Sequence, residues 1–411
     1  MVAPAWLRSP VAGAAFAGLM AAGMLSCSPD VDPTGIPQIG RVRTRWVREQ
    51  PNYSGIRPIF SNGIVYFGAG RGPAVGGLII ARTDGSGDER WRARVANSTP
   101  PGGANMLLRA NVLVVPVVHY TVGLDAATGR ELWRYFAPRD TVSGGSDPGQ
   151  VDFKAIAADS STVYIPAWGA SVSAVDVRTG QARWVWQPGV SAGDTAASGI
   201  FSSGAEGVAV AGDTVFVTAW HFLDLRGLAS EPWLVALDAA TGRELWRIVI
   251  PSYTRGVTVS GAPVVYDRLV IFTGIGGYTW AVDRMNQQIV WRYVARPTGA
   301  TVTPAQIYGD AVYLDAGDEH LIALRAADGA VLWKARVGAY AAHDLLITER
   351  RVYVPWGLML SIFDRANGRL VARVRQPGRD IESYIASPAA TDGRGGIYIT
   401  VDDGAWSFDE P

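Results

Sequence analysis

The sequence predicts an all-β chain folded as an eight-bladed β-propeller of four-stranded antiparallel blades, with its N- and C-terminal strands sharing one blade. Three observations predict it. A short segment ending in tryptophan recurs along the chain, its copies are spaced by about the length of a blade, and the two chain ends carry complementary fragments of one further copy.

The segment is cleanest at Ala236 to Trp246, with Asp238, Thr241 and Gly242 in its turn. It repeats at Gly123 to Trp133 and at Ala174 to Trp184, and more loosely at Ala81 to Trp91, Ala281 to Trp291 and Ala323 to Trp333. A seventh copy, Ile362 to Ala372, has lost its tryptophan. Alternating residues before the Asp read as a strand. The Asp side chain caps a turn, Gly supplies a positive φ, and the next strand carries the Trp. A Trp fixed in every unit suits the seam between units, where its ring is buried and its indole N–H finds an acceptor.

Upstream of each copy lies a second apolar run, such as Ile64 to Tyr66, Val163 to Ile165 or Val352 to Val354. Each unit therefore has at least three strands, and the remaining length needs a fourth. The docking tryptophans are Trp46, Trp91, Trp133, Trp184, Trp246, Trp291 and Trp333, with Ala372 in the eighth slot. Trp46 has no repeat segment before it, and Trp406 to Asp409 ends a segment with nothing after it. Joined, they complete one blade and leave no open edge.

Composition agrees with this class. The 411 residues include 48 Gly and 15 Trp, and 37 basic residues balance 37 acidic ones. No polybasic run asks for nucleic acid or an anionic membrane. At the N-terminus, Arg8 precedes an apolar run from Val11 to Leu25, too short for a comfortable span and read as a signal-peptide core. It ends in Met24-Leu25-Ser26-Cys27, which resembles the bacterial lipobox, and Ser28 follows where Asp would signal inner-membrane retention. The expected organisation is a leader over 1–27 with Cys27 lipidated, a tether over 28–42, and the propeller over 43–411, anchored to the outer membrane on its periplasmic side. Cys27 is the single cysteine, so a lipidated chain has no thiol left for disulfides or thiolate metal sites.

Spacing between successive Trp slots is 45, 42, 51, 62, 45, 42 and 39. The surplus falls at 136–149, 187–206 and 218–232, in connections that propeller topology brings to one face. Long loops on a rigid scaffold make that face a candidate binding surface, with drift in tolerant loops as the alternative. The third insertion holds Leu223, Leu225 and Arg226, read either as partner contacts or as a loop packed on its own blade. Trp168, Trp220 and Trp356 each follow the second strand of a blade. They read as an aromatic platform on that face or as blade packing. Asp315, Asp318, Glu319 and His320 crowd one hairpin but lack a calcium-ligand spacing, and His119, His221, His320 and His343 show no metal-type pairing.

The pattern Ala-x-Asp-x-x-Thr-Gly-x-x-x-Trp resembles the tryptophan-docking repeat of PQQ-type quinoproteins and their non-catalytic relatives, over roughly residues 43 to 411. Among the latter, a lipidated propeller made almost wholly of repeat resembles the BamB family of outer-membrane assembly lipoproteins. That resemblance implies a protein-binding scaffold for the β-barrel insertase, with no catalysis and no cofactor, and a monomeric ring. It also implies a Leu-x-Leu-Arg partner contact, which Leu223 to Arg226 match in residue type. Here the segment lies between a blade's second and third strands, whereas the family would place it ahead of a first strand. The alternatives are a dehydrogenase holding PQQ with calcium, and an orphan propeller binding polysaccharide or peptide. The chain lacks the adjacent-cysteine disulfide and the large insertions of the dehydrogenases.

Overall fold

The computed structural model describes residues 39–49, 55–70, 77–96, 105–117, 120–138, 155–167, 171–188, 203–222, 230–250, 259–274, 276–295, 303–315, 319–338, 344–376, 385, 387–402 and 404–411. The leader, Cys27 and the tether to residue 38 lie outside them. The chain divides into Met1–Gln38 and Ile39–Pro411, and every described element belongs to the second unit.

That unit is a ring of eight four-stranded antiparallel sheets, as the repeat count predicts. Seven blades take four consecutive strands each. Blade 1 runs from Ile59–Ser61 to Glu89–Ala96, blade 4 from Ser203–Ala211 to Glu244–Val249, and blade 7 from Leu346–Ile347 to Leu370–Val374. Blade 8 takes Ala390–Thr391, Gly396–Val401 and Gly404–Asp409 from the C-terminus, and its outer strand, Thr44–Glu49, from the N-terminus. Trp46 pairs with Ser407 and Val47 with Trp406 in that closing sheet, so the ring has no unpaired end.

The recurring turn is built as its residues dictate. Asp125 Oδ1 accepts the backbone N–H groups of Ala127 and Thr128 and the Thr128 hydroxyl, at 3.1, 2.9 and 2.8 Å. Gly129 sits at φ +74° and returns its N–H to the Asp125 carbonyl at 2.8 Å. In the next blade the Arg183 guanidinium, together with the same turn donors, holds the Asp176 carboxyl down at about 2.

Each glycine also forms the bed for a tryptophan of the preceding blade. A Cβ on Gly129 would lie 2.5 Å from the Trp91 ring, and one on Gly242 would lie 2.5 Å from Trp184. The indole N–H reaches past that glycine to a backbone carbonyl of the same turn. Trp46 donates to Asp84 O at 2.7 Å, Trp91 to Ala126 O at 3.1 Å and Trp133 to Val177 O at 2.8 Å. Trp184 donates to Ala239 O at 2.9 Å, Trp291 to Ala326 O at 2.9 Å and Trp333 to Arg365 O at 3.0 Å. Behind most of these rings stands an aromatic from the second strand of the same blade, as in Tyr66–Trp91, Tyr164–Trp184 and Tyr313–Trp333.

Two seams depart from this rule, for visible reasons. Blade 5 carries Gln287 where the other turns carry glycine, at φ +59°, and Trp246 makes no carbonyl bond across that seam among the described residues. Its ring keeps the second-strand aromatic of its own blade, Phe216, at 6.0 Å between centroids. At the seam between blades 7 and 8 the tryptophan slot is Ala372. The outer strand of blade 8 is Thr44–Glu49, so no Thr-Gly turn joins it to the third strand, Gly404–Asp409, for a ring to lie on. Glu410 fills that role, accepting from the Thr348 hydroxyl, from Arg350 Nη2 at 3.0 Å and from Tyr353 Oη at 3.3 Å. Ile39 then exchanges both backbone hydrogen bonds with Arg373 on the outer edge of blade 7, at 3.0 and 2.7 Å. Pairing in the ring thus begins at residue 39 among the described residues.

Gly242→Ala should cost about 3 kcal/mol or more, because a Cβ is strained at that φ and drives into Trp184. Gln287→Gly should be neutral or stabilising by about 1 kcal/mol. Chemical denaturation of both variants checks the pair, and equal destabilisation would contradict the role given to the turn glycine.

Candidate functional site

Antiparallel blades put the first-to-second and third-to-fourth turns at one end of the ring, and the remaining two kinds of connection at the other. Hydrogen bonds such as Asp84 N to Gly63 O and Ala126 N to Asn111 O tie the two tight turns of each blade together. The opposite end carries all three insertions.

Blade 4 is the tallest there. Its first three strands, Ser203–Ala211, Thr214–Phe222 and Ser230–Asp238, are nine residues each, and the second and third stay paired as far as Phe222 opposite Ser230. Much of the insertion predicted as a loop over 218–232 is thus a lengthened hairpin, and its connection shrinks to 223–229. Tryptophans brace it on both faces. Trp220 packs with the Phe272 and Trp280 cluster of blade 5 and donates to Glu206 Oε1 at 2.7 Å. Trp233 packs against blade 3 and donates to Glu231 Oε2 at 2.8 Å, with the Arg247 guanidinium 4.4 Å over its ring.

Of the residues singled out in the sequence, Leu223, Leu225, Arg226 and Trp168 lie outside the described residues. Trp220 and Trp356 are 7% and 5% exposed. Trp356 donates to Ser361 Oγ at 2.8 Å and lies under Arg373. Both rings are buried within their blades. Asp315 is buried, Glu319 pairs with Arg336 at 3.1 Å, and Asp318 lies outside the described residues. Among the described residues no group of three or more His, Cys, Asp or Glu comes together to hold a metal ion.

A second feature of this end was not visible in the sequence. Five residues before each first hairpin turn stand Arg57, Asn105, Ala155, Gly207, Ala262, Pro304, Asp344 and Pro388. Parallel bridges join Arg57 to Asn105 and Ala155 to Gly207, and Gly207 lies so close to Ala262 that a Cβ there would meet its backbone at 2.5 Å. Asn105 locks blade 2 to blade 3, donating to Ile156 O at 3.0 Å and accepting Ile156 N–H at 2.9 Å. Arg57 reaches past blade 8 to blade 7, at 3.1 Å from Leu345 O and 3.6 Å from Asp344 Oδ2. Desolvation raises the Asp344 pKa above the usual carboxylate range, with Arg57 pulling against it. One position per blade, different in nearly every blade, gives no periodic signal. Only counting back from the hairpin turns brings these residues into line.

With this geometry in hand, the comparisons with known proteins are informative. The family profile described as outer membrane protein assembly factor BamB matches residues 38–198, 169–340 and 290–399. The chain belongs to the BamB family. Among curated relatives, BamB of Yersinia pestis is 25% identical over 241 residues, 56% of this chain and 55% of that protein. A quinohemoprotein alcohol dehydrogenase of Comamonas testosteroni is 33% identical over 142 residues, 33% of this chain and 18% of the enzyme. The alignments thus span little more than half of one relative and under a fifth of the other. The crystal structure of BamB from Moraxella catarrhalis superposes with a TM-score of 0.65 at 14% identity, over 90% of this chain and 100% of that one. The Comamonas dehydrogenase gives 0.63 at 14% identity, over 90% and 76%. At such identities the likeness is one of fold, shared by BamB proteins and dehydrogenases alike.

Arg57→Met should lower the melting temperature more at pH 8 than at pH 5. An acid whose folded pKa is raised subtracts stability as pH climbs from its unfolded value through the folded one, and loss of Arg57 raises Asp344 further. Protonation of the carboxyl sheds the desolvation cost, so the loss grows as pH rises and the carboxyl is charged. Equal losses at the two pH values would contradict the pairing.

Proposed function

We propose that this chain is a non-catalytic scaffold of the periplasm, held to the outer membrane by lipid on Cys27, that binds protein partners in β-barrel assembly. The observation that carries this reading is the match of the BamB profile across nearly the whole ring, in a chain whose described residues are blades and their turns. The tall hairpin of blade 4 is the natural partner contact. Its connection, 223–229, contains Leu223, Leu225 and Arg226, residue types that anchor protein interfaces. With a photoreactive residue at Leu225, crosslinking in native membranes should capture the β-barrel insertase. A clean miss from a folded, lipidated chain would overturn the assembly reading.

The second reading is a dehydrogenase holding PQQ with calcium, favoured by the 33% identity of one 142-residue stretch to a quinohemoprotein enzyme. Calcium takes six to eight oxygen ligands. The eight positions that precede the first hairpin turns offer one carboxylate, Asp344, already paired with Arg57, and one side-chain amide, Asn105, whose oxygen and nitrogen both bond Ile156. These residues do not fit such a site, and we assign no chemistry to it. Titration of the purified chain with PQQ and calcium should leave the quinone absorbance unchanged. Saturable binding with dye-linked alcohol oxidation would reverse that assignment.

A further inference from the structure

We propose that the arginine-rich rim of blades 7, 8 and 1 lies against anionic phospholipid headgroups of the membrane that holds the chain, an inference that rests on the lipid-anchor reading above. The outer strands Leu370–Val374, Thr44–Glu49 and Glu89–Ala96 are neighbours on the circumference. Ile39 bridges to Arg373 at one seam, and Arg48 reaches Ser86 and Asp88 at the other. Residues 41–49, 88–94 and 369–375 carry ten arginines and three carboxylates in a chain of zero net charge. The facing sector is different in kind. Its outer strands in blades 3 to 5 expose Val185, Leu245, Val249, Ile289, Val290 and Val294.

The rim is open to a ligand. Arg41, Arg43, Arg90, Arg92, Arg94 and Arg369 are exposed. Within the rim, Arg43 pairs with Asp409 and Arg92 with Glu89. Arg41, Arg90, Arg94 and Arg369 have no carboxylate within ion-pair distance among the described residues, so their guanidinium groups are available to phosphodiesters, which they bind in a bidentate fork.

Position supplies the occupant. The chain enters the ring at Ile39, against the outer edge of blade 7 and beside the closing strand, within this rim. Residues 28–38 reach at most roughly 40 Å from a lipidated Cys27. The arginine rim holds the residue, Ile39, from which that reach is measured, and the surface field of a bilayer acts within a Debye length of about 8 Å. Contact there would turn the rim towards the membrane and the apolar sector away from it.

The test uses residues 28–411, which contain every strand and both halves of the closing sheet. Sedimentation with vesicles of phosphatidylcholine alone, or with a third phosphatidylglycerol, should show salt-sensitive binding to the anionic vesicles only. Arg41→Ser/Arg90→Ser/Arg94→Ser should weaken it by about a hundredfold, three arginines at the usual worth of one beside an anionic surface. Equal pelleting with both vesicles, no pelleting with either, or a natively folded triple variant that binds as before would overturn the proposal. The mass of the mature chain from membranes reports lipidation separately, so failure of the anchor and failure of the rim are distinguishable.

Discussion

The whole ring depends on a tryptophan laid across the glycine turn of the next blade. The glycine is required twice over, by the left-handed backbone of the turn and by the ring that fills the space of its missing side chain. The indole N–H then bonds a carbonyl of that turn, so a large apolar surface is buried with its one polar group satisfied. Repetition of this contact positions the sheets at six of the eight seams. Each of those six is made from local sequence, although it joins residues 32 to 55 positions apart.

Closure demands a different solution, since the last blade has no third-to-fourth turn to offer. The outer strand of blade 8 comes from the N-terminus, with Trp46 set on blade 1 and Tyr398 beside it, as in an ordinary blade. The seam between blades 7 and 8 relies on polar contacts to Glu410 and on the extra pairing of Ile39 with Arg373. The missing tryptophan at Ala372 thus matches a neighbouring blade that has no third-to-fourth turn to receive it.

Fold and seams were legible because they are periodic. Trp, Gly and Asp recur at fixed offsets, and the incomplete terminal copies fit together by counting. Three features were not. The blade 4 hairpin reads as an insertion, with Pro232 interrupting a strand pattern, yet Trp220 and Trp233 extend its pairing to Phe222. Arg57, Asn105 and Asp344 occupy a position that varies from blade to blade. The arginine rim is scattered between residues 41 and 375, and only ring closure brings its pieces side by side. Single-site chemistry that falls once per ring is invisible to a search for repeats, and that is where function in such a scaffold resides.

Hydrogen exchange of the indole N–H groups, followed by NMR, tests the seam most directly. The indoles of Trp46, Trp91, Trp133, Trp184, Trp291 and Trp333 should exchange slowly, as buried bonds to carbonyls require, while Trp246, set against Gln287, exchanges faster. Uniform exchange at solvent rates, or a Trp246 as protected as the rest, would contradict the claim that docking on a glycine turn holds the ring together.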